Sequence, residues 1–151
     1  MIAFNTINDV LDFAIGEEQA AVDFYKQLAG QSANEQIRQV FNEFAEEEMK
    51  HKTRLVNVKQ TGISSFDPGE VLDLKLSDYL VDAKPKPDIS YEEALILAMK
   101  KEKAAFKLYS ALAQRTTDPG IRDLFLTLAL EESRHKLRFE IEYDDYILRE
   151  N

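Results

Sequence analysis

The sequence predicts an all-α protein: a four-helix bundle assembled from two copies of one antiparallel helical hairpin. Three observations lead there. Apolar residues recur at alternating steps of four and three through four long segments, the rhythm of helices that each bury one face. Glycine and proline, 5 and 4 in number, are too few and too clustered to turn the chain as often as a β-protein must. The second half of the chain also repeats the first at a fixed offset of 84 residues, the mark of a duplicated unit.

In the first segment the stripe is Ile7, Leu11, Ala14, Glu18, Ala21, Tyr25 and Leu28. A short break from Gly30 to Asn34 leads to the second, with Ile37, Phe41, Phe44, Glu48, His51, Leu55 and Val58. So short a connection makes the two helices antiparallel neighbours. Gly62, Pro68, Gly69, Pro85 and Pro87 then mark a joining segment that is too long for a turn. Its apolar string (Val71, Leu72, Leu74, Leu76, Tyr79, Leu80, Val81) predicts that it packs along the bundle. Ser90 and Glu93 read as a capping box opening the third helix, whose stripe is Tyr91, Leu95, Ala98, Glu102, Ala105, Tyr109 and Leu112. Asp118-Pro119, an N-cap followed by proline at the first helical position, opens the fourth, with Ile121, Phe125, Leu128, Glu132, His135 and Phe139. The expectation is one domain over 1–151, with hairpins at about 3–61 and 90–148 and a crossover at about 62–89.

At 151 residues the chain suits one domain with a real core. It has no uninterrupted apolar run of about 18 residues and no signal-peptide pattern at its start, so no membrane span is expected and the cytoplasm is the expected address. A net charge of -9 argues against a nucleic-acid partner, which calls for a basic footprint. With no cysteine, disulfides, iron-sulfur clusters and thiolate zinc sites are excluded. Any metal must sit on oxygen and imidazole nitrogen.

The stripes themselves contain such donors. Glu18, Glu48, Glu102 and Glu132 all stand where the pattern calls for a core residue. A lone buried carboxylate is costly and tends to take up a proton; four at one level of a bundle repel one another unless cations lie between them. The chain has only two histidines, His51 and His135, each three residues after one of these glutamates and so on the same helix face. Carboxylate oxygens with one imidazole per metal suit iron or manganese, with zinc or cobalt as substitutes. Four carboxylates can bridge two ions ~3.5–4 Å apart. The offset of 84 carries Glu18 onto Glu102, and Glu48-x-x-His51 onto Glu132-x-x-His135. Each metal should therefore have one histidine, one terminal glutamate and two shared bridging glutamates. Tyr25 and Tyr109, seven residues after Glu18 and Glu102, are expected to hydrogen-bond a ligand carboxylate on a neighbouring helix. Glu17, Glu47 and Glu131 are expected to face solvent or to pair with Lys and Arg one turn away. The repeated Lys52/Lys136 and Arg54/Arg138 are expected as solvated or inter-helix partners.

These motifs resemble the rubrerythrin family, within the wider ferritin-like superfamily, to which a long crossover between the second and third helices also belongs. The signatures are Glu18-x-x-Ala21-x-x-x-Tyr25, Glu47-Glu48-Met49-Lys50-His51, Glu102-x-x-Ala105-x-x-x-Tyr109 and Glu131-Glu132-Ser133-Arg134-His135. The resemblance implies a non-haem di-iron site that reacts with hydrogen peroxide or dioxygen, usually reducing peroxide to water in oxidative-stress defence. Electrons come from a rubredoxin-like iron centre. Glu18 and Glu102 would be terminal ligands, Glu48 and Glu132 bridging ones, and His51 and His135 the nitrogen ligands. Two departures matter. This chain has no cysteine for a rubredoxin-like centre, so a separate donor protein is expected. The family's additional glutamate on the third helix would lie one turn from Glu102, where Met99 and Ala105 stand instead. A ferroxidase or other iron-handling role is the alternative, and a structural or partner-binding bundle the second. Met49 adjoins Glu48 where the similar bacterioferritins use methionine for haem, but haem is not expected. Ferritin-like hairpins often pair through their first two helices, so a homodimer is expected, with exchange of hairpins between chains a further arrangement of the long crossover.

Overall fold

The computed structural model describes residues 4–32, 34–66, 74–75, 78–81 and 88–150. Four long helices carry it: α1 (Ile7–Gln31), α2 (Glu35–Thr61), α3 (Tyr91–Arg115) and α4 (Pro119–Glu150). No helix among the described residues is long and apolar enough to cross a membrane.

Helix starts follow the local chemistry. Asn34 Oδ1 caps α2 by accepting from the N–H groups of Gln36 and Ile37, and Asp118 Oδ1 does the same for Gly120 and Ile121 at α4, with Pro119 at the position that needs no donor. At α3, Ser90 Oγ accepts from Glu93 N–H at 3.1 Å, one half of the capping box expected there. A complete box stands at α1 instead: Thr6 Oγ1 accepts from Asp9 N–H while Asp9 accepts from Thr6 N–H. The first hairpin turn is tighter than its sequence suggests, because α1 runs on through Gly30 to Gln31 before Ser32 turns out of the helix. The buried faces of Leu28 and Ala29 outweigh the small penalty of a helical glycine.

α2 ends at Gly62, whose N–H donates to Val58 O at 2.7 Å. A Cβ at Gly62 would meet the tip of the Ile121 side chain at the start of α4, so the two hairpins approach closely here and a larger residue would make Ile121 shift. A short 3-10 turn (Ile63–Ser65) follows, and Phe66 then bridges to Thr116 at the end of α3. Of the crossover's apolar string, Leu74 and Tyr79 are buried, Val81 packs partly on the core, and Leu80 is exposed. Val71, Leu72 and Leu76 lie outside the described residues.

Each helix packs most extensively on its hairpin partner, α1 on α2 and α3 on α4. The core these contacts build is not continuous. One cluster, including Leu11, Leu55, Leu112 and Phe125, fills one end of the bundle. A second, including Phe24, Phe41, Leu95 and Phe139, fills the other. On every helix the positions between the clusters are occupied by Glu18, Glu48 with His51, Glu102, or Glu132 with His135. A polar layer divides an apolar core.

Candidate metal centre

All six side chains of that layer are at most 3% exposed. They form two overlapping sets whose donor atoms lie within 4.8 Å of one another: Glu18, Glu48, His51 and Glu132 in one, and Glu48, Glu102, Glu132 and His135 in the other. Glu48 and Glu132 belong to both. The offset of 84 interchanges the two sets, so the site has the near-twofold symmetry of the duplication.

Both histidines turn Nδ1 inward. His51 Nδ1 lies 3.0 Å from Glu132 Oε1 and 3.6 Å from both Glu18 Oε1 and Glu48 Oε1. His135 Nδ1 lies 3.1 Å from Glu48 Oε1 and 3.6 Å from Glu102 Oε1. The outer nitrogens are held across the hairpin boundary: His51 Nε2 pairs with Glu131 on α4, and His135 Nε2 with Glu47 on α2. This corrects the expectation that Glu47 and Glu131 merely face solvent or pair with cations. Although Glu131 is also 3.8 Å from Arg54, its closer partner is the imidazole. A carboxylate on the far ring nitrogen fixes the tautomer that leaves Nδ1 free as a donor to metal. The two tyrosines cross in the same way. Tyr25 on α1 donates to Glu102 Oε1 on α3, and Tyr109 on α3 donates to Glu18 Oε1 on α1. Burial, then the charge of the accepting glutamate, pushes both phenols well above their ordinary range, so they stay protonated and donate.

After all these bonds, each of the six side chains keeps one buried polar atom with no hydrogen-bond partner: Glu18 Oε2, Glu48 Oε1, His51 Nδ1, Glu102 Oε2, Glu132 Oε1 and His135 Nδ1. An orphaned buried acceptor costs about 1–3 kcal/mol, more if charged. Six facing one another is the arrangement that bound cations relieve. The donor chemistry fits: four carboxylates balance two divalent ions, and each ion gains one neutral imidazole. Glu17, the remaining glutamate expected at the surface, is half-buried and lines a small cavity beside the layer with Lys101, its twin in the repeat.

Without cations the layer neutralises itself with protons. Burial, then the charges of Glu132, Glu18 and Glu102, raises the carboxyl of Glu48 well above the carboxylate range, and burial, then Glu102 and Glu18, does the same to Glu132. Burial alone would depress the histidines, but the surrounding glutamates outweigh it and lift His51 to about 9 and His135 to about 11. These four groups therefore hold more protons in the folded protein than in the unfolded chain, and stability must fall as pH rises. The histidine contribution is complete below the unfolded value of 6.5 and is lost as pH passes through about 9 and about 11. The glutamate penalty begins as the unfolded chain ionises above 4.5 and grows until the folded carboxyls ionise too.

Chelator-treated protein is accordingly expected to lose Tm between about pH 6 and about pH 9, and to release protons on anaerobic addition of Fe(II); a Tm that rises over that interval contradicts a protonated layer. Tyr25→Phe and Tyr109→Phe each strip one glutamate of its donor. Each is expected to weaken metal binding about 10–100-fold, to a similar degree because the two are twins. Titration calorimetry with Zn(II) checks this, and unchanged affinity in both variants would remove the tyrosines from the site.

A protein of Thermotoga maritima proposed to be a ferritin-like diiron-carboxylate protein superposes on this chain with a TM-score of 0.79, covering 97% of this chain and 99% of that one at 21% identity. That likeness establishes the ferritin-like fold. No curated protein matches the sequence. The rubrerythrin family model matches residues 9–143, a span that takes in most of both hairpins and all six layer residues. The chain belongs to the rubrerythrin family.

Proposed function

We propose that this protein is a two-iron oxidoreductase that reduces hydrogen peroxide, or dioxygen, at the buried glutamate–histidine layer. The observation that carries this reading is the set of six orphaned donor atoms in two groups sharing Glu48 and Glu132. A purely structural bundle gains nothing from them, since apolar side chains of the same volume would be as stable or more so. Two iron ions held there supply the two electrons that, with two protons, take peroxide to water. Glu18 and Glu102 are held in place by Tyr109 and Tyr25, and the histidines by Glu131 and Glu47.

Substrate size supports the same reading. A cavity of about 30 Å³ lies between α1 and α3 against the four layer glutamates, walled by Phe13, Tyr79 and Leu108. That is room for a molecule of one or two heavy atoms. Peroxide and dioxygen are of that size.

With no cysteine in this sequence to hold a rubredoxin-like iron centre, this reading assigns the supply of electrons to a separate donor protein. Over the outer edges of the two histidines, between α2 and α4, lies an open bowl of about 430 Å³ lined by Lys50, Arg54, Arg134 and Arg138. These cations are two pairs of twins, in a chain of net charge -9. An acidic donor docking there would stand one carboxylate and one imidazole from the layer.

Iron-loaded protein is expected to carry two metals per chain, and its di-ferrous form to oxidise much faster with peroxide than with dioxygen in stopped-flow absorbance. The reverse preference, with iron mineralised in a 24-subunit shell, would make it a ferroxidase; loss of neither metal in Glu48→Ala with Glu132→Ala would sink the site. With reduced rubredoxin as donor, re-reduction should slow with added salt and fall at least tenfold in Lys50→Glu with Arg134→Glu. Salt-independent transfer would put the donor elsewhere.

A further inference from the structure

The two halves of the repeat differ in what they enclose between α2 and α4. α2 ends at Thr61, and the chain bends through Gly62 and the 3-10 turn to Phe66. Ile63 packs there on the core cluster that contains Phe125, and the Phe66 ring stands edge-on to Phe125 at 6.0 Å. The bend thus supplies one aliphatic and one aromatic side chain to the space between the end of α2 and the start of α4.

In the other half the chain makes no bend. The twin of Gly62 is Tyr146, whose ring packs edge-on to Tyr91 at 5.2 Å while α4 runs on to Glu150. Between the start of α2 and the end of α4 lies a cavity of about 390 Å³, floored by Ile37, Val40, Phe41, Phe44, Tyr91 and Phe139. Phe41 is the twin of Phe125. Asp145, Leu148 and Arg149 in the cavity wall are the twins of Thr61, Ser64 and Ser65 at the bend. The cavity therefore occupies the place that the bend fills in the other half. Burial follows the difference: Leu128 is buried, and its twin Phe44 is half-buried.

We propose that this cavity binds an aromatic carboxylic acid, its ring on Phe41 as Phe66 stands on Phe125, and its carboxylate on Arg138. The volume lies in the range of small-molecule sites, about 300–1,000 Å³, and the floor of rings favours an edge-on aromatic guest. Four charged residues line the rim, and only one is left for an anion. Glu142 is engaged, since it accepts from the Tyr91 hydroxyl at 2.9 Å and lies 3.5 Å from Arg149. Asp145 is exposed and stands two turns beyond Arg138 on α4, roughly 10 Å along the axis. That exceeds the screening length of about 8 Å at physiological ionic strength. Among the described residues no carboxylate pairs with Arg138, whereas its twin Arg54 has Glu131 at 3.8 Å. Arg138 also borders the bowl over the histidines, where Lys50, Arg54 and Arg134 add positive charge and the carboxylates of Glu47 and Glu131 are taken up by imidazole. A guanidinium in that setting suits a carboxylate, which it can hold through two parallel hydrogen bonds.

Titration calorimetry on the full-length protein tests this with three probes: naphthaleneacetate, naphthaleneethanol as its uncharged analogue, and decanoate as an acid without a ring. Naphthaleneacetate is expected to saturate one site per chain and to bind at least fivefold more tightly than either of the others. Val40→Trp places an indole in the cavity and should weaken that binding at least tenfold. Arg138→Met should abolish the preference for the acid over the alcohol while leaving the affinity for the alcohol unchanged. Absence of saturable binding, an affinity that Val40→Trp does not move, or equal affinity for acid and alcohol in the wild type would each overturn the proposal. Tighter binding of decanoate would overturn the aromatic assignment. If Val40→Trp loses helicity by circular dichroism, Arg138→Met decides.

Discussion

Four carboxylates and two imidazoles at one level of a bundle cannot be a stable arrangement by themselves. Everything else in the structure is organised around making it tolerable. The layer splits the apolar core into two clusters, and the rings nearest it, Tyr25, Tyr109, Phe44 and Phe139, close it from water. Burial is what makes the glutamates effective: in a medium this poor in water each unpaired oxygen has a strong incentive to find a cation or a proton. Protons and metal ions therefore compete for the same atoms, and the layer's chemistry and its stability are one balance read at two places.

The second constraint is that neither hairpin can build the site alone. The four strong polar contacts around the layer all cross the boundary between hairpins: Tyr25 to Glu102, Tyr109 to Glu18, His51 to Glu131 and His135 to Glu47. Each hairpin supplies three of the layer's six side chains and the hydrogen-bonding supports of two of the other three. Helix-to-helix packing, by contrast, is most extensive within each hairpin. The two apolar clusters join the halves, and the polar layer between them sets how the halves meet.

Much of this was legible in the sequence because helical periodicity and the repeat spoke together. A glutamate in an apolar stripe is a contradiction that resolves only if something binds it, and the offset of 84 showed the contradiction four times. What periodicity hid was Glu47 and Glu131. A residue one place before a ligand points about 100° away from it around the helix, toward solvent on any wheel, and only the placement of the facing helix brings a histidine to it. A signal was nonetheless present: the doublets Glu47-Glu48 and Glu131-Glu132 recur in both copies, whereas Glu17 becomes Lys101. Helix ends were blurred for a different reason, since Gly30 is a turn residue by propensity and stays helical because its neighbours are buried. The crossover was read only in outline, since an apolar string does not say which of its residues turn inward.

The internal repeat is thus more than evidence of origin. Both copies share one fold, so a position kept in both is bound by something common to both, and a position that differs has been released from it. Ligands, tyrosines and the outer carboxylates are kept. Phe44 against Leu128 shows core packing drifting at constant apolarity, which a bundle interior tolerates when total volume is preserved. Glu17 against Lys101 changes sign at the cavity beside the layer, so that cavity has one acidic and one basic residue in its lining. The outer faces of α2 and α4 differ most, polar on one and apolar on the other at equal exposure. A symmetric site has been left with asymmetric surroundings.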